Sequence, residues 1–171
     1  FFEVDQAIVD LARDARYFSY LADAPNPPRI VLGDGRLSLA AERPGSFDLL
    51  VLDAFTSDAV PAHLLTREAM RTYVRALRPH GIIAFQLTNR HFDLVPAVAS
   101  TARSIGLGAR ARESTPIASE QDKLAARPSR WVVVGLPDDI ARFDALGWPV
   151  PPAGPVLTDD FSDVMWLLRW R

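Results

Sequence analysis

The chain has 171 residues, the length of one ordinary domain. Apolar residues make up 49% and charged residues 23%, which calls for a packed core and excludes global disorder. The formal net charge of −2 comes from 19 basic and 21 acidic residues, a balance that argues against a nucleic-acid partner, and the absence of cysteine excludes disulfides, a cysteine nucleophile and thiolate metal sites.

Every basic residue except Lys123 is arginine, and the arginines do not cluster. No run approaches the roughly 20 apolar residues of a membrane helix. The chain opens inside an apolar run, FFEVD, without a cap or an initiator methionine. That start is expected of a piece of a longer chain or a mature product.

FFEV reads as a short strand. In QAIVDLARDARYF, Ala7, Ile8, Leu11, Ala12, Ala15 and Phe18 recur at helical spacing. The proline-rich APNPPR connects to a strand, RIVL, then GDG at 33–35 and a short helix, LSLAAE, that stops before RPGS. FDLLVLD is a continuous apolar run of the kind buried on both faces of a parallel sheet. TREAMRTYVRALR, 66–78, has Thr66 as N-cap and a stripe of Ala69, Met70, Tyr73, Val74 and Leu77. PHG ends it and IIAFQL is the next strand. Leu94, Val95, Val98, Ala99, Ala102 and Ile105 mark another helix, with Pro96 in its first turn, where no internal hydrogen bond is lost. RWVVVG is a later strand, PDDIARFDALGW a further helix and DVMWLLRW, 163–170, a closing strand. The polar stretch 113–128 reads as a lid or a plain loop. Strands alternating with helices imply an open α/β sheet with crossover helices.

In such sheets ligands bind beyond the carboxyl ends of the strands. Three predicted strands end in acid: Glu3 and Asp5 close the first, Asp34 follows the second and Asp53 closes the third. Glu3 suits both hydroxyls of a ribose. Asp34, flanked by Gly33 and Gly35, suits an adenine amine approached closely by backbone. Asp53 is placed to hold a cationic amine or take its proton. Each acid also fits a helix cap or turn. The loop after Asp53 adds Thr56, Ser57 and Asp58, and TDDFSD at 158–163 is a second acidic turn, whose Asp159 and Asp160 either face a polycation or form a solvated turn. His63, His80 and His91 are too scattered for a metal site, and none is expected. Ser57 lacks a nucleophile elbow. GLGA at 106–109 follows a late helix and is no phosphate cradle. Asn89 and Arg90 line a pocket or form a turn. The four tryptophans, Trp131, Trp148, Trp166 and Trp170, are expected in the core or a subunit contact.

FFEVDQAIVDLAR, VLGDGRLSL, FDLLVLDAFTSDAVPAHLLT and TDDFSDV together resemble the spermidine synthase family, the polyamine aminopropyltransferases, and within it the divergent bacterial spermidine synthase-like branch. The resemblance implies a Rossmann-like class I methyltransferase fold: a mostly parallel sheet with a C-terminal antiparallel strand, here lacking the first strand and its glycine-rich turn. Residues 1–171 are then one N-terminally truncated domain. The implied reaction moves the aminopropyl group of decarboxylated S-adenosylmethionine to putrescine or a related amine and releases 5′-methylthioadenosine. By the same resemblance Glu3 binds the ribose, Asp34 and Gly35 lie beside the adenine, Asp53 orients and deprotonates the amine, and Asp58 helps hold it. Asp159, Asp160 and Phe161 match the C-terminal substrate-facing segment, with Phe161 where a tyrosine is common. The co-substrate is not tightly bound. A homodimer, and a cytoplasmic location with or without membrane segments elsewhere in the parent chain, are implied as well.

The chain departs from the family pattern in its amine loop. Family members place the two aspartates three apart in D-S-S-D-P; Asp53 and Asp58 are five apart, Phe55 adds bulk and Ala59 replaces the proline. Two other readings therefore stand beside aminopropyl transfer: an S-adenosylmethionine-dependent methyltransferase, and a non-catalytic domain that keeps the fold.

Overall fold

The computed structural model describes residues 1–54, 60–114 and 128–168. The expectations for Phe55, Asp58 and Trp170, and for most of the 113–128 stretch, lie outside the described residues. The chain divides into two compact units, Phe1–Arg43 and Pro44–Arg171.

In the first unit, β1 (Phe2–Glu3) and β2 (Val31–Leu32) pair in parallel, Phe2 beside Val31 and Glu3 beside Leu32. Helix α1 (Gln6–Arg13) starts where the Asp5 carboxylate accepts the Ala7 N–H at 2.8 Å. The expected helix through Phe18 is cut short at Asp14. That residue turns extended, and its carboxylate takes the Arg16 backbone N–H at 3.0 Å and the Arg16 guanidinium at 2.5 Å. These bonds to Arg16 hold the Asp14 carboxyl below the usual range. The apolar stripe is consequently not a buried face: Ile8, Leu11 and Phe18 are exposed, and α1 buries only Val9. Helix α2 (Gly35–Ala40) is capped by Asp34 and buries Leu39. An Arg29–Glu42 ion pair links the approach to β2 with the residues after α2.

The second unit holds a four-stranded sheet in the order β3-β4-β6-β5. Strand β3 (Phe47–Leu52) runs parallel to β4 (Leu77–Gln86), while β6 (Ser129–Gly135) runs antiparallel to both β4 and β5 (Gly108–Ser114). One reversed strand thus lies between strands that share a direction, giving an α/β fold with a mixed sheet. The β3–β4 register shifts between Phe47, opposite Leu77, and Leu49, opposite Ile82. The extra residues of β4 form the Pro79-His80-Gly81 kink, with His80 at a φ of 66°. There His80 Nδ1 lies 2.9 Å from Asp139 Oδ1.

Helix α3 (Arg67–Ala76) begins as its sequence suggests, with the Thr66 hydroxyl accepting the Ala69 N–H at 3.2 Å. It ends at Ala76, because Leu77 is already extended and paired in β4. Its buried face is Ala69, Met70, Tyr73 and Ala76, and Val74 is exposed. These residues pack with Phe85, Ile83, Leu65, Val132 and Val134 to make the core, where each large apolar side chain contributes roughly 1.5–3 kcal/mol of burial.

Helix α4 (Val95–Arg103), with proline in its first turn, presents buried Ala97, Val98, Ala99 and Ala102. Two buried hydroxyls on it are satisfied by the segment that follows α5. Ser100 Oγ accepts the Gly154 N–H at 2.8 Å and Thr101 Oγ1 accepts the Leu157 N–H at 3.0 Å. A Cβ on Gly154 would stand 2.7 Å from the Pro96 backbone, so this close approach requires glycine.

Other expectations are corrected as well. Strand β3 is not buried on both faces: Leu50 is buried, but Leu49 and Val51 are 50% and 56% exposed, because β3 is the edge of its sheet and the second unit's helices pack on β4, β5 and β6. The helix expected over 137–148 is the shorter α5 (Pro137–Ala141), followed by turns that end at Gly147, φ 72°. Residues 163–168 do not form the strand expected over 163–170. The Asp163 carboxylate caps the Met165 N–H at 2.8 Å and folds Val164–Leu167 into a 3₁₀ turn, which leaves only a bridge between Phe92 and Leu168. Trp166 on that turn is 77% exposed, so of its two expected places the core is excluded. Strand β5 was not anticipated at all. Among the described residues no helix is long and apolar enough to cross a membrane.

Candidate functional site

The first unit brings Glu3, Asp34 and Gly35 to one edge. β1 and β2 are parallel and in register at Glu3 and Leu32, so both lead out at the same end. Gly33 donates its N–H to the Glu3 carbonyl at 2.8 Å and takes a φ of +142°, a conformation that favours glycine. That turn sets Asp34 just beyond the strand end. The Asp34 carboxylate accepts the Leu37 N–H at 2.8 Å and its carbonyl accepts the Ser38 N–H at 2.8 Å. Glu3 Oε1 accepts the Asp5 N–H at 2.9 Å. Local backbone bonds therefore fix both carboxylates while each stays partly solvent-accessible. An oriented carboxylate is what bidentate recognition of a diol or an amine requires.

In the second unit Asp53 follows the last residue of β3. Leu52 pairs with Phe85, so the next residue along β4 at the same edge is Gln86. Asp53 is exposed. Gln86 is held in place by Thr88, whose hydroxyl accepts from Gln86 Nε2 at 2.7 Å and whose N–H donates to Gln86 Oε1 at 3.1 Å. The Thr88 hydroxyl also accepts the Arg130 N–H at 2.9 Å, tying this turn to β6. Sequence reasoning passed over Gln86. The available signal was a polar residue closing the apolar run IIAF beside an acid-ended strand. Asn89 resolves as a turn former, its Oδ1 accepting the His91 and Phe92 N–H groups, each at 2.9 Å.

The acidic turn 158–161 is pinned to the start of α3. Thr66 Oγ1 donates to Asp159 Oδ1 at 2.7 Å, the Asp159 N–H donates to Glu68 Oε2 at 3.0 Å and the Arg67 N–H donates to the Leu157 carbonyl at 2.8 Å. The Glu68 carboxyl is lowered. Burial works against its charged form, but bonds from its own N–H and that of Asp159, with Arg67 alongside, outweigh the cost. Asp159 is thus engaged in holding the fold. Asp160 and Phe161 are exposed, with Phe161 kept in the turn by its N–H to the Thr158 hydroxyl at 3.0 Å. Asp58 lies outside the described residues. Among the described residues no three of His, Asp and Glu gather as a metal site.

No protein-family model matches the chain. Putrescine N-methyltransferase 1 of Nicotiana tabacum is 29% identical over 110 residues, which cover 62% of this chain and 29% of that protein. The polyamine aminopropyltransferase of Leptospira biflexa is 38% identical over 101 residues, 56% of this chain and 34% of that protein. A probable spermidine synthase of Corynebacterium glutamicum superposes with a TM-score of 0.56 at 18% identity, covering 88% of this chain and 55% of that one. The chain thus spans less than a third of the first curated relative and little more than half of that structure. The superposition bears on the fold alone, a Rossmann-like α/β arrangement of the spermidine synthase and class I methyltransferase kind. In sequence the chain is thus similar to part of the putrescine N-methyltransferases, spermidine synthases and polyamine aminopropyltransferases, and in fold to the spermidine synthases.

Proposed function

We propose that the chain is the nucleoside- and amine-binding portion of an S-adenosyl-dependent transferase that alkylates a polyamine nitrogen. The preferred reaction moves the aminopropyl group of decarboxylated S-adenosylmethionine to putrescine or a related amine. The observation that carries this reading is the pair of oriented carboxylates, Glu3 and Asp34, at the same end of two parallel strands. Glu3 would accept the ribose hydroxyls, and Asp34 with Gly35 would border the adenine. Asp53, at the end of an apolar strand, would act on the amine, with Asp58, Asp160 and Phe161 completing the amine side and Asp159 setting the turn that carries the latter two.

The chemistry needs little beyond position and a base. A free alkylamine is mostly protonated near neutral pH, with a pKa of about 10.4 for a lysine-like group. Only its neutral form attacks. The nitrogen lone pair forms a bond to the carbon beside the sulfonium sulfur, the C–S bond breaks, and its electrons leave on a neutral thioether. The surplus nitrogen proton passes to Asp53.

Methyl transfer from S-adenosylmethionine to the same amines is the second reading, favoured by the putrescine N-methyltransferases among the relatives. Both donors share ribose and adenine, so Glu3 and Asp34 serve either. Incubating the full-length protein with each donor and a panel of amines separates the two. Methylthioadenosine with an aminopropylated amine is the expected result. S-adenosylhomocysteine with a methylated amine would replace the first reading by the second, and neither product from any amine would overturn both.

A further inference from the structure

Strand register lines up three side chains across the carboxyl edge of the second unit's sheet. Leu52 of β3 pairs with Phe85 of β4, so Asp53, one position on, continues that register beside Gln86. Gln86 in turn pairs with Trp131 of β6. Side chains alternate along a strand and directly paired residues share a face, so Asp53, Gln86 and Trp131 form a row on one face. The opposite face is the packed one. Phe85 and Val132, next in sequence to Gln86 and Trp131, are fully buried there, and Arg130 reaches Asp93 just before α4. On the row's own face the cover comes from α5 and stops short. A Cβ on Gly135 would meet Ile140 of α5 and Ile82 of β4, each at 3.2 Å, and Gly135 and Ile82 both lie four positions from the row along their strands. At the β3 edge Val51, on the same face as Asp53, is 56% exposed. Trp131 is half-buried. Its indole N–H finds no acceptor and its ring no aromatic neighbour among the described residues, and the Asp53 carboxylate likewise has no partner among them. Between the two, the Gln86 amide is held by Thr88.

We propose that Trp131 selects the amine: its ring face binds the second ammonium of a linear diamine longer than putrescine, whose first nitrogen is held at Asp53. This rests on the transferase reading of Asp53 given above. Neighbouring strands lie about 4.8 Å apart, so Asp53 and Trp131 are separated by about 10 Å, with Gln86 between them. A four-carbon diamine falls short of that span. A six-carbon chain matches it and crosses Gln86 on the way. An ammonium is attracted to the face of an aromatic ring within about 6 Å of its centre, and tryptophan is the strongest of the aromatic side chains in this respect. A monoamine of the same length gains only the apolar part of that contact.

Steady-state turnover of 1,6-diaminohexane, putrescine and hexylamine by the full-length protein tests this, with decarboxylated S-adenosylmethionine and separately with S-adenosylmethionine as donor. 1,6-Diaminohexane is expected to have the lowest KM, below that of hexylamine by about threefold to thirtyfold, the scale of one cation–π contact. Trp131→Leu keeps an apolar surface without the ring face, so it should bring the two six-carbon amines within about twofold of each other, through KM rather than kcat. Trp131→Phe should restore part of the gap. Each comparison is a ratio within one preparation, so partial loss of folded protein leaves it intact. The unchanged protein and Trp131→Phe decide the matter even if Trp131→Leu does not fold. Equal KM values for 1,6-diaminohexane and hexylamine in the unchanged protein, a KM for putrescine at or below that of 1,6-diaminohexane, or a gap that survives in Trp131→Leu would each overturn the proposal and leave the transferase reading standing. No turnover of any amine with either donor would overturn both.

Discussion

The two units are held together by different forces. In Phe1–Arg43 the buried apolar residues are Val9 and Leu39 alone. Its shape comes from short-range polar bonds: Asp5 to Ala7, Glu3 to Asp5, Asp34 to Leu37 and Asp14 to Arg16. In Pro44–Arg171 a continuous core of Tyr73, Phe85, Met70, Ile83, Val98 and Val132 does that work, and the polar bonds tie segments far apart in sequence, as from Thr101 to Leu157 and from Thr66 to Asp159. Two of the carboxylates that build the first unit, Glu3 and Asp34, are the ones proposed to bind the nucleoside. In the second unit the proposed amine base stands at the end of a strand anchored by packing. Binding and stability should therefore be coupled in the first unit and separable in the second.

Substitutions can break this contrast. The largest effect is expected from Phe85→Ala, which should cost about 3–5 kcal/mol in denaturant unfolding, because it empties a fully buried site. A loss below about 1 kcal/mol would mean that the core is not where second-unit stability resides. Thr101→Val keeps the shape and strands the Leu157 N–H, so about 1–3 kcal/mol should be lost. A neutral result would show that the 154–157 segment is held by contacts other than the α4 hydroxyls.

Smaller effects sharpen the comparison in the first unit. Asp34→Ala removes the α2 cap and should cost about 0.5–2 kcal/mol locally, read as faster amide exchange at Leu37. Asp34→Asn should cap nearly as well, yet bind the nucleoside more weakly. If Asn binds as well as Asp, the residue is a cap and nothing more. The smallest effect is a pH dependence at Glu68. Its carboxyl is depressed in the folded chain, so its contribution is present above the ordinary carboxylate range and is lost as pH falls through the lower folded value. The melting temperature should drop less steeply on acidification in Glu68→Gln than in the unchanged chain. Equal slopes would remove the Glu68–Asp159 link from the account of acid stability.

Much of the second unit was legible because its signals are local and strong. Thr66 announced α3 and Pro96 fitted the first turn of α4, while RWVVVG could be little else than a buried strand. What escaped has physical causes. Strand β5 alternates alanine with arginine, so Ala109 and Ala111 bury too little area to stand out as an apolar face. The stretch 163–168 has a strand's composition, but Asp163 caps a turn before pairing can extend. The stripe of 6–18 had helical spacing, yet Asp14 and Arg16 close on each other and end the helix. For the candidate site, the acids at strand ends were visible because strands end in recognisable runs. Gln86 was not, because its position depends on the β3–β4 register. Asp159 is bound to Thr66, a contact across 93 positions that spacing alone cannot reveal.

The most direct test is Asp53→Asn in the full-length protein, with turnover, nucleoside affinity and melting temperature measured together. Asparagine keeps the size and one acceptor but cannot take the nitrogen proton. Turnover is expected to fall about 10²- to 10⁴-fold, with nucleoside affinity and melting temperature nearly unchanged, since Asp53 is exposed at a strand end and the proposed ribose and adenine acids lie elsewhere in the chain. Turnover within a few-fold of the unchanged protein, at equal stability, would contradict the assignment of Asp53 as the base.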